Sequence, residues 1–426
     1  MAATTPLTPT TGNIPTIATA TSAANQRQAV PKTRVVAAVG IIAVVLIGLN
    51  LRAGITSAAA LFHELQQVLG YGALVASILP SIPLLCFAVA GMGTSWLTRR
   101  VGVEKAIAIA LALLAGGLLV RGVPATGALL GGTVLAMSGL AVCNVAMPSF
   151  IREHYADRTS MMTGLYTFTM SGGATFAAAV SVPLAQQLGS PSMGLAAWGI
   201  LGVAALLGFL PVVLHSHRNS TKTDRPRVSM WPLLRTRLGI LITAIFTFQA
   251  FLAYAVMSWF AYILTSQGLS ASESGLQFGI MQLVSVAAGM ILLAFGSRPG
   301  MLRPALYLAS STTLVAIAAM IWLPTSLAFV SAVLFGFGLG IFPLVLVIIS
   351  RSGRSTAETT ALSTIAQSLG YLIAAIGPFG MGLLHSATGG WALPLSLLSI
   401  VAVALMVTCH MLTSKRTATK TGPRTA

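Results

Sequence analysis

Charged residues are scarce in this chain of 426 residues, in which Asp, Glu, Lys and Arg together make up 7% of the sequence. An ordinary soluble domain carries about 25% charged residues. Hydrophobic residues make up 56% of the chain, and the mean hydropathy is +0.88. This deficit of charge excludes a soluble protein and indicates a protein that crosses a membrane several times.

Acidic residues are the rarest charged type, with seven Asp and Glu against 24 Lys and Arg. All seven acids fall at the ends of hydrophobic runs or between them: Glu64, Glu104, Glu153, Asp157, Asp224, Glu273 and Glu358. Proton-coupled carriers usually keep a carboxylate or a histidine inside a span. The sequence offers no such relay carboxylate at mid-membrane, and His385 and His410 lie at the ends of runs.

Cysteine is also rare, and Cys86, Cys143 and Cys409 each stand alone within a hydrophobic run. Their isolation excludes a disulfide framework or a paired-cysteine zinc site, so we interpret them as small packing residues. The segment FHELQQ from Phe62 begins like a zinc-binding helix but has Gln67 where the second histidine belongs. The sequence also lacks a phosphate-binding loop. We therefore expect no catalytic residues, no metal and no cofactor, and a protein that is not an enzyme.

Long hydrophobic runs are the dominant feature that is present. A helix needs about 20 apolar residues to cross a hydrocarbon core of about 30 Å, and lipid offers no partner for a free backbone amide, so such runs cross as helices. We predict an all-α membrane protein with twelve transmembrane helices. Their expected positions are 35–62, 72–98, 104–122, 125–150, 159–187, 193–214, 237–264, 272–296, 302–322, 325–350, 359–384 and 390–412.

The longest polar interval between these runs follows the sixth predicted span and divides the chain into two six-helix halves. A repeat supports the division, because Pro148 and Pro183 are separated by the same interval as Pro343 and Pro378. Two parallel six-helix halves are the architecture of the major facilitator fold. The predicted divisions are a disordered cytoplasmic tail at 1–33, an N-terminal half at 34–214, a cytoplasmic linker at 215–236, a C-terminal half at 237–412 and a cytoplasmic tail at 413–426.

The basic residues predict the orientation of the chain. If the N-terminus is cytoplasmic, every Lys and Arg except Arg52 and Arg121 falls on the cytoplasmic side, as the positive-inside rule requires. We therefore predict a multi-pass protein of the plasma (inner) membrane with both termini cytoplasmic, and we place Arg121 outside. Because the basic residues are spread over separate loops beside anionic lipid, the expected partner is the bilayer and not nucleic acid. We expect a monomer.

Arg52, in the stretch LIGLNLRAGITS, is the only permanent charge that the sequence places deep in a span. Burying it costs at least a few kcal/mol unless water or a partner compensates. Glu64, the nearest acid along the helix, is about 18 Å away at 1.5 Å per residue. A guanidinium in an aqueous cavity is suited to a small oxyanion or carboxylate. We predict that Arg52 is the counter-charge of an anionic solute; the alternative is a purely structural role.

Other polar residues extend this candidate site. Thr56 shares the face of Arg52 because it lies four residues further on, whereas Asn50 lies about 200° away and is expected to contact another helix. Polar and aromatic residues at helical spacing in other spans suggest a cavity that hydrogen-bonds a small solute, although each alone is typical of an interhelical bond. The predicted substrate-binding residues are Arg52, Thr56, Asn144, Tyr166, Gln249, Tyr254, Gln367 and Tyr371.

Four segments carry a resemblance to a known family. They are LNLRAGITS from Leu49, NVAMPSFIREHY from Asn144, FQAFLAYAVMSWFAYIL from Phe248, and IFPLVLVIISR from Ile341 followed by AQSLGYLIAAIGPFGMGLLHSATGGWALPL. The chain resembles the cyanate and nitroimidazole porter family of the major facilitator superfamily. The resemblance implies alternating access and a small substrate such as cyanate, a nitroimidazole or another little anion. It also points to Arg52, Gln249, Tyr254, Gln367 and Tyr371 as positions that match family motifs.

One segment departs from the superfamily pattern. The loop between the second and third spans usually carries Asp-Arg-x-Gly, and here it reads Arg99, Arg100, Val101 and Gly102. We predict Arg99 and Arg100 as gating residues, with an arginine in place of the acidic member of the usual clamp.

The sequence thus predicts a secondary active or facilitative carrier that moves a small anionic or polar solute by rocking of its two halves. The first alternative is an efflux carrier for drugs or metabolites, in which Arg52 is structural. The second is a membrane receptor or scaffold that does not transport. A carrier should have polar groups around a cavity at mid-depth that is sealed at one end, whereas a scaffold should pack solidly there.

Overall fold

The structure is a computed structural model that describes residues 30–215, 230–353 and 355–414. The predicted tails fall largely outside these residues, and so does the predicted central linker from 216 to 229. Within them, twelve helical segments are long and apolar enough to cross a membrane, which confirms the predicted all-α fold. We number these spans from 1 to 12 in chain order.

The spans have the following bounds. Spans 1 to 6 are Val30–Ala60; Ala73–Ile78, Leu79–Ser81 and Ile82–Val101; Val103–Val120; Thr126–His154; Thr159–Gln187; and Pro191–His215. Spans 7 to 12 are Arg237–Ser266; Ala271–Gly296; Leu302–Trp322; Ala328–Leu339 and Phe342–Ser350; Thr356–Ala374 and Ile376–Thr388; and Ala392–Thr413. Short helices at Phe62–Leu69 and Met230–Leu234 follow span 1 and precede span 7.

Local sequence explains where several spans begin. The hydroxyl of Thr236 accepts a hydrogen bond of 3.0 Å from the backbone N–H of Gly239 at the start of span 7. Ser270 and Glu273 form a reciprocal capping box at the start of span 8, which satisfies backbone N–H groups that have no partner within the helix. Spans 2 and 3 are joined through Gly102 alone, whose φ of +91° is a conformation that side chains disfavour.

The two halves pack their helices in the same pattern. In the N-terminal half span 1 packs on spans 5 and 6, span 3 on spans 4 and 6, and span 2 on span 4. In the C-terminal half span 7 packs on spans 11 and 12, span 9 on spans 10 and 12, and span 8 on span 10. The pattern repeats with an offset of six spans, as expected for the major facilitator fold. The halves meet through span 5 against span 8, span 2 against span 11 and span 1 against span 7.

Close packing between spans depends on small residues. A Cβ atom on Gly173 of span 5 would lie 2.2 Å from the backbone oxygen of Leu49 in span 1. In the C-terminal half, a Cβ atom on Gly336 of span 10 would lie 2.6 Å from the backbone oxygen of Met281 in span 8. Glycine at these two positions therefore allows direct backbone contact between helices.

Candidate substrate-binding site

Arg52 lies in the middle of span 1 and is partly buried. The described residues contain one ion pair with a nitrogen–oxygen distance within 4.0 Å, that of His154 with Glu104 at 3.3 Å. No described carboxylate therefore neutralises the charge of Arg52. Its guanidinium therefore keeps an uncompensated positive charge at mid-depth, which is costly in a membrane protein unless water or an anion solvates it.

Three tyrosines face this charge from both halves. The guanidinium of Arg52 interacts electrostatically with the phenol groups of Tyr166 in span 5, Tyr254 in span 7 and Tyr371 in span 11. The ring centroids of Tyr254 and Tyr371 are 6.0 Å apart at 88°, and Phe87 of span 2 lies 5.3 Å from Tyr371. Spans 1, 2, 5, 7 and 11 thus bring one cation and four aromatic rings together at the seam between the halves.

The predicted amide residues are distributed less tightly. Asn144 of span 4 accepts a hydrogen bond of 3.4 Å from the Tyr166 hydroxyl, so it belongs to the Arg52 group. Gln249 is buried and its Oε1 has no hydrogen-bond partner in the described structure. The Gln367 amide donates to Ser363 Oγ of its own helix at 2.7 Å. The described contacts therefore join Asn144 and Tyr166 to each other but do not tie the two glutamines to Arg52.

The hydroxyl of Thr56 is used within its own helix in this conformation. Its side chain is completely buried, and its hydroxyl donates a hydrogen bond of 3.0 Å to the backbone oxygen of Arg52. The role of Thr56 in binding a solute stays a prediction. Asn50 makes the expected helix contact, donating to the backbone oxygens of Leu46 at 2.8 Å and of Leu201 in span 6 at 2.9 Å.

The halves are joined at one end of the molecule, which we call the closed end and define by Gln66, Tyr262 and Trp391. The Tyr262 hydroxyl donates to Gln66 Oε1 across the seam at 3.0 Å, and the ring of His63 lies 5.0 Å from that of Tyr262. Trp391 packs 5.8 Å from Tyr262 and stacks on His385 at 3.9 Å. This aromatic cluster seals the seam between spans 1, 7, 11 and 12.

A carboxyl group lies in the closed end as well. Glu64 follows span 1, and its Oε2 atom is buried without a hydrogen-bond partner among the described residues. Burial raises the pKa of Glu64 above its ordinary value, because desolvation disfavours the charged form. Burial also lowers the pKa of the neighbouring His63. Both groups are therefore biased towards their neutral forms while this end is closed.

The comparisons with known proteins identify the family of the chain. The sequence profile described as Major Facilitator Superfamily matches residues 41–378, which is most of the chain. This chain is a member of the Major Facilitator Superfamily. It is 31% identical to the cyanate transport protein CynX of Escherichia coli (strain K12) over 86% of this chain and 95% of that protein. It is 29% identical to the 2-nitroimidazole transporter of the same organism over 88% and 95%.

The fold of this facilitator also matches solved structures. The crystal structure of a D-xylose–proton symporter superimposes with a TM-score of 0.72 at 13% identity and covers 87% of this chain and 96% of that one. At that identity the likeness concerns the fold alone. The relatives confirm the predicted resemblance to the cyanate and nitroimidazole porters, and the protein is a multi-pass membrane transporter of small solutes.

The predicted gating arginines of this facilitator lie on the surface at the end of span 2. Arg99 and Arg100 are exposed, and the Arg100 guanidinium lies 4.4 Å above the ring of Trp96 on the same helix. Nearby, the ion pair of His154 with Glu104 joins the ends of spans 3 and 4 within one half. The gating role of Arg99 and Arg100 stays a prediction.

The sequence reading missed one buried charge in this facilitator. Arg121 was expected in an external loop, yet it is 1% exposed and is one of the largest fully buried side chains in the described structure. It follows span 3 directly and its side chain folds back between spans 1 and 4. The sequence held one indication that Arg121 is unusual, because it is the loop arginine that departs from the positive-inside distribution.

No cluster of His, Cys, Asp or Glu that could hold a metal ion occurs among the described residues.

Proposed function

We propose that this facilitator carries a small anion and that Arg52 binds it directly. The observation that carries the proposal is the partly buried guanidinium of Arg52 at mid-span, which pairs with no described carboxylate and interacts electrostatically with the phenol groups of Tyr166, Tyr254 and Tyr371. A guanidinium presents donors in a planar fork that fits a small oxyanion. Phenol hydroxyls donate further hydrogen bonds, so the anion would replace water at each of these groups.

The chemistry of the relatives narrows the class of solute. The relatives named above are described as carriers of cyanate and of 2-nitroimidazole, and both solutes are small. A small anion can accept hydrogen bonds from the arginine fork while it packs beside aromatic faces such as those of Phe87 and Tyr371. We therefore assign a small monoanion, with cyanate as the first candidate, as the solute class.

The direction in which the protein lies in the membrane follows from its basic residues. The span ends that carry Arg99, Arg100, Arg152, Arg298 and Arg351 belong to one end of the molecule, opposite the closed end. By the positive-inside rule this basic end faces the cytoplasm, with both termini on that side. In the proposed cycle the closed end faces outside, and rocking of the halves about the Arg52 site exposes the solute to each side in turn.

Flux into liposomes tests the proposal. Purified protein would be reconstituted and the uptake of cyanate measured for the parent and for Arg52→Gln, Arg52→Lys and Arg298→Gln. We expect Arg52→Gln to lower kcat/KM about 100-fold, because it removes a charge–charge contact worth about 3 kcal/mol. Arg52→Lys should recover part of the loss, and Arg298→Gln, which removes an exposed arginine, should match the parent. Equal uptake by Arg52→Gln and the parent would overturn the assignment.

A second candidate solute is an uncharged heteroaromatic ring. The packing of Phe87, Tyr254 and Tyr371 around the site favours it, with ring centroids of 5.3 to 6.3 Å between these residues. In that case Arg52 would be structural, and the flux of a neutral nitroimidazole would survive Arg52→Gln but fall in Tyr371→Leu. The anion proposal predicts that Arg52→Gln loses cyanate flux even if some nitroimidazole flux remains.

A further inference from the structure

Arg121 is held by neutral groups only. Its Nη1 donates to the backbone oxygen of Gly54 at 3.0 Å and its Nε to Thr133 Oγ1 at 3.1 Å, while the Thr133 hydroxyl is itself used on the backbone oxygen of Leu129. Gly132 makes room for the side chain, since a Cβ atom there would lie 3.1 Å from Arg121 Cγ. The N-terminal half thus leaves space beside Gly132 for the Arg121 side chain.

The charge of Arg121 is not neutralised by the described protein. No carboxylate in the described ranges lies within 4.0 Å of it, and both of its hydrogen-bond acceptors are uncharged. A buried cation without a counter-ion is unfavourable, and in membrane transporters such a charge typically marks a substrate or ion path. A side chain that only linked spans 1, 3 and 4 could do so with an uncharged hydrogen-bond donor.

The guanidinium also borders the seam between the halves. Arg121 lines a cavity of about 10 Å³ together with Ile55, Pro80, Thr133 and Ser258, a space of about one water molecule. Ser258 belongs to span 7, whereas the other lining residues named here belong to the N-terminal half. Separation of the halves would therefore remove one wall of this cavity and expose the Arg121 guanidinium to the transport path.

We propose that Arg121 forms a second anion-binding subsite, which is shut in this conformation and becomes accessible when the closed end opens. This inference rests on the proposed anion transport by Arg52. Gly54, whose backbone oxygen Arg121 contacts, is two residues beyond Arg52, which is a rise of about 3 Å along the axis of span 1. Arg121 therefore meets span 1 on the closed-end side of Arg52, and an anion that enters from that side would reach Arg121 first.

Oriented liposomes and cyanate provide the test. KM would be measured separately from the closed-end side and from the basic side for Arg121→Gln, Arg121→Lys, Arg298→Gln and Arg52→Gln. We expect Arg121→Gln to raise KM about tenfold from the closed-end side and to leave KM from the basic side within about twofold, with recovery in Arg121→Lys. Arg298→Gln removes an exposed arginine outside the subsite and should not change KM on either side.

Several results overturn the subsite. These are an unchanged KM in Arg121→Gln, an equal rise of KM on both sides, or the same one-sided rise in Arg298→Gln. Failure of the proposed function looks different, because Arg52→Gln would then carry cyanate as well as the parent. If Arg121→Gln does not fold, a Ser258→Cys variant that retains Arg121 decides the matter. Anionic thiol reagents should label it several-fold faster than cationic reagents of the same size, relative to the parent with its native cysteines, and equal or slower labelling overturns the subsite.

Discussion

The two halves of the molecule share a packing pattern but bring different chemistry to the seam. The N-terminal half contributes the cations Arg52 and Arg121, one partly and one fully buried. In the described part of the C-terminal half every Lys and Arg is exposed, and the seam is lined by rings such as Tyr254, Tyr371 and Trp259. One half thus supplies the positive charge at the seam, and the other supplies hydroxyl groups and aromatic faces.

The halves also differ in the continuity of their helices. Pro148 and Pro183 lie inside the unbroken helices of spans 4 and 5. Their counterparts Pro343 and Pro378 each lie just after a break, between Leu339 and Phe342 in span 10 and at Ala375 in span 11. Equivalent prolines thus lie within continuous helices in one half and beside helix breaks in the other. We expect these breaks in spans 10 and 11 to act as joints when the halves rock.

The largest expected effect concerns the close contact between spans 1 and 5 of the N-terminal half. Gly173→Val places a Cβ atom 2.2 Å from the Leu49 backbone oxygen, and overpacking against backbone costs about 3 kcal/mol or more. We expect most of the variant to be lost as aggregate, with a lowered Tm in the remainder. Size-exclusion chromatography and thermal unfolding in detergent would measure this loss. The neighbouring Gly172→Val is the control, because its Cβ atom would meet nothing within 4 Å; equal stability of the two variants would contradict the described contact.

The next largest effect concerns the helix breaks of the C-terminal half. Pro343→Ala restores a backbone donor where span 10 is broken and should allow the helix to continue. We expect turnover at saturating solute to slow about tenfold with KM unchanged, since conformational steps limit many such cycles. The matched change Pro148→Ala, inside a helix that is already continuous, should slow turnover much less. Equal slowing of turnover in both variants would show that the helix break beside Pro343 has no special role in the transport cycle.

The sequence predicted the twelve spans because lipid leaves an apolar run of that length no other structure. It also placed Arg52 at depth, since that position follows from counting residues. Arg121 could not be placed, because hydropathy ends with the helix and does not tell where the next side chain points. Arg121 continues the helical turn with φ −62° and ψ −16°, and its side chain folds inward to Gly54. The hydrogen bond of Thr56 to the Arg52 backbone oxygen could not be predicted either, because helix phase does not reveal which acceptor a hydroxyl uses.

A smaller effect is expected at the contact that joins the halves. Tyr262→Phe removes the hydrogen bond to Gln66 at the closed end, which is worth about 1 kcal/mol and should shift the population towards opening about fivefold. Accessibility of an introduced cysteine at the closed end would report the shift. Tyr307→Phe is the control, because the Tyr307 hydroxyl bonds His410 within the C-terminal half and should leave the population unchanged. A shift in Tyr307→Phe of the same size would mean that the measurement does not report the seam.

The smallest expected effect is a pH dependence of the closed end. Burial raises the pKa of Glu64 above its ordinary value of 4.5, and opening would hydrate the carboxyl and return its pKa to that value. As the pH rises from the ordinary to the raised pKa, the open form releases its proton first, so the closed form loses stability over this window. Below the ordinary pKa both forms are protonated and the closed form keeps its full stability. Glu64→Gln, which cannot ionise, should therefore stay closed at neutral pH.

His63 must be controlled in that experiment, because burial lowers its pKa and acid would favour opening through its imidazole. His385, which faces Tyr262 from span 11, is the same in every variant, and the phenols of Tyr71 and Tyr262 stay neutral over the range. In a His63→Gln background, Glu64→Gln should lower closed-end cysteine accessibility about threefold at neutral pH and not at acid pH. A difference that persists unchanged at acid pH would show that Glu64 acts through packing, and the seam would then be controlled by contacts alone.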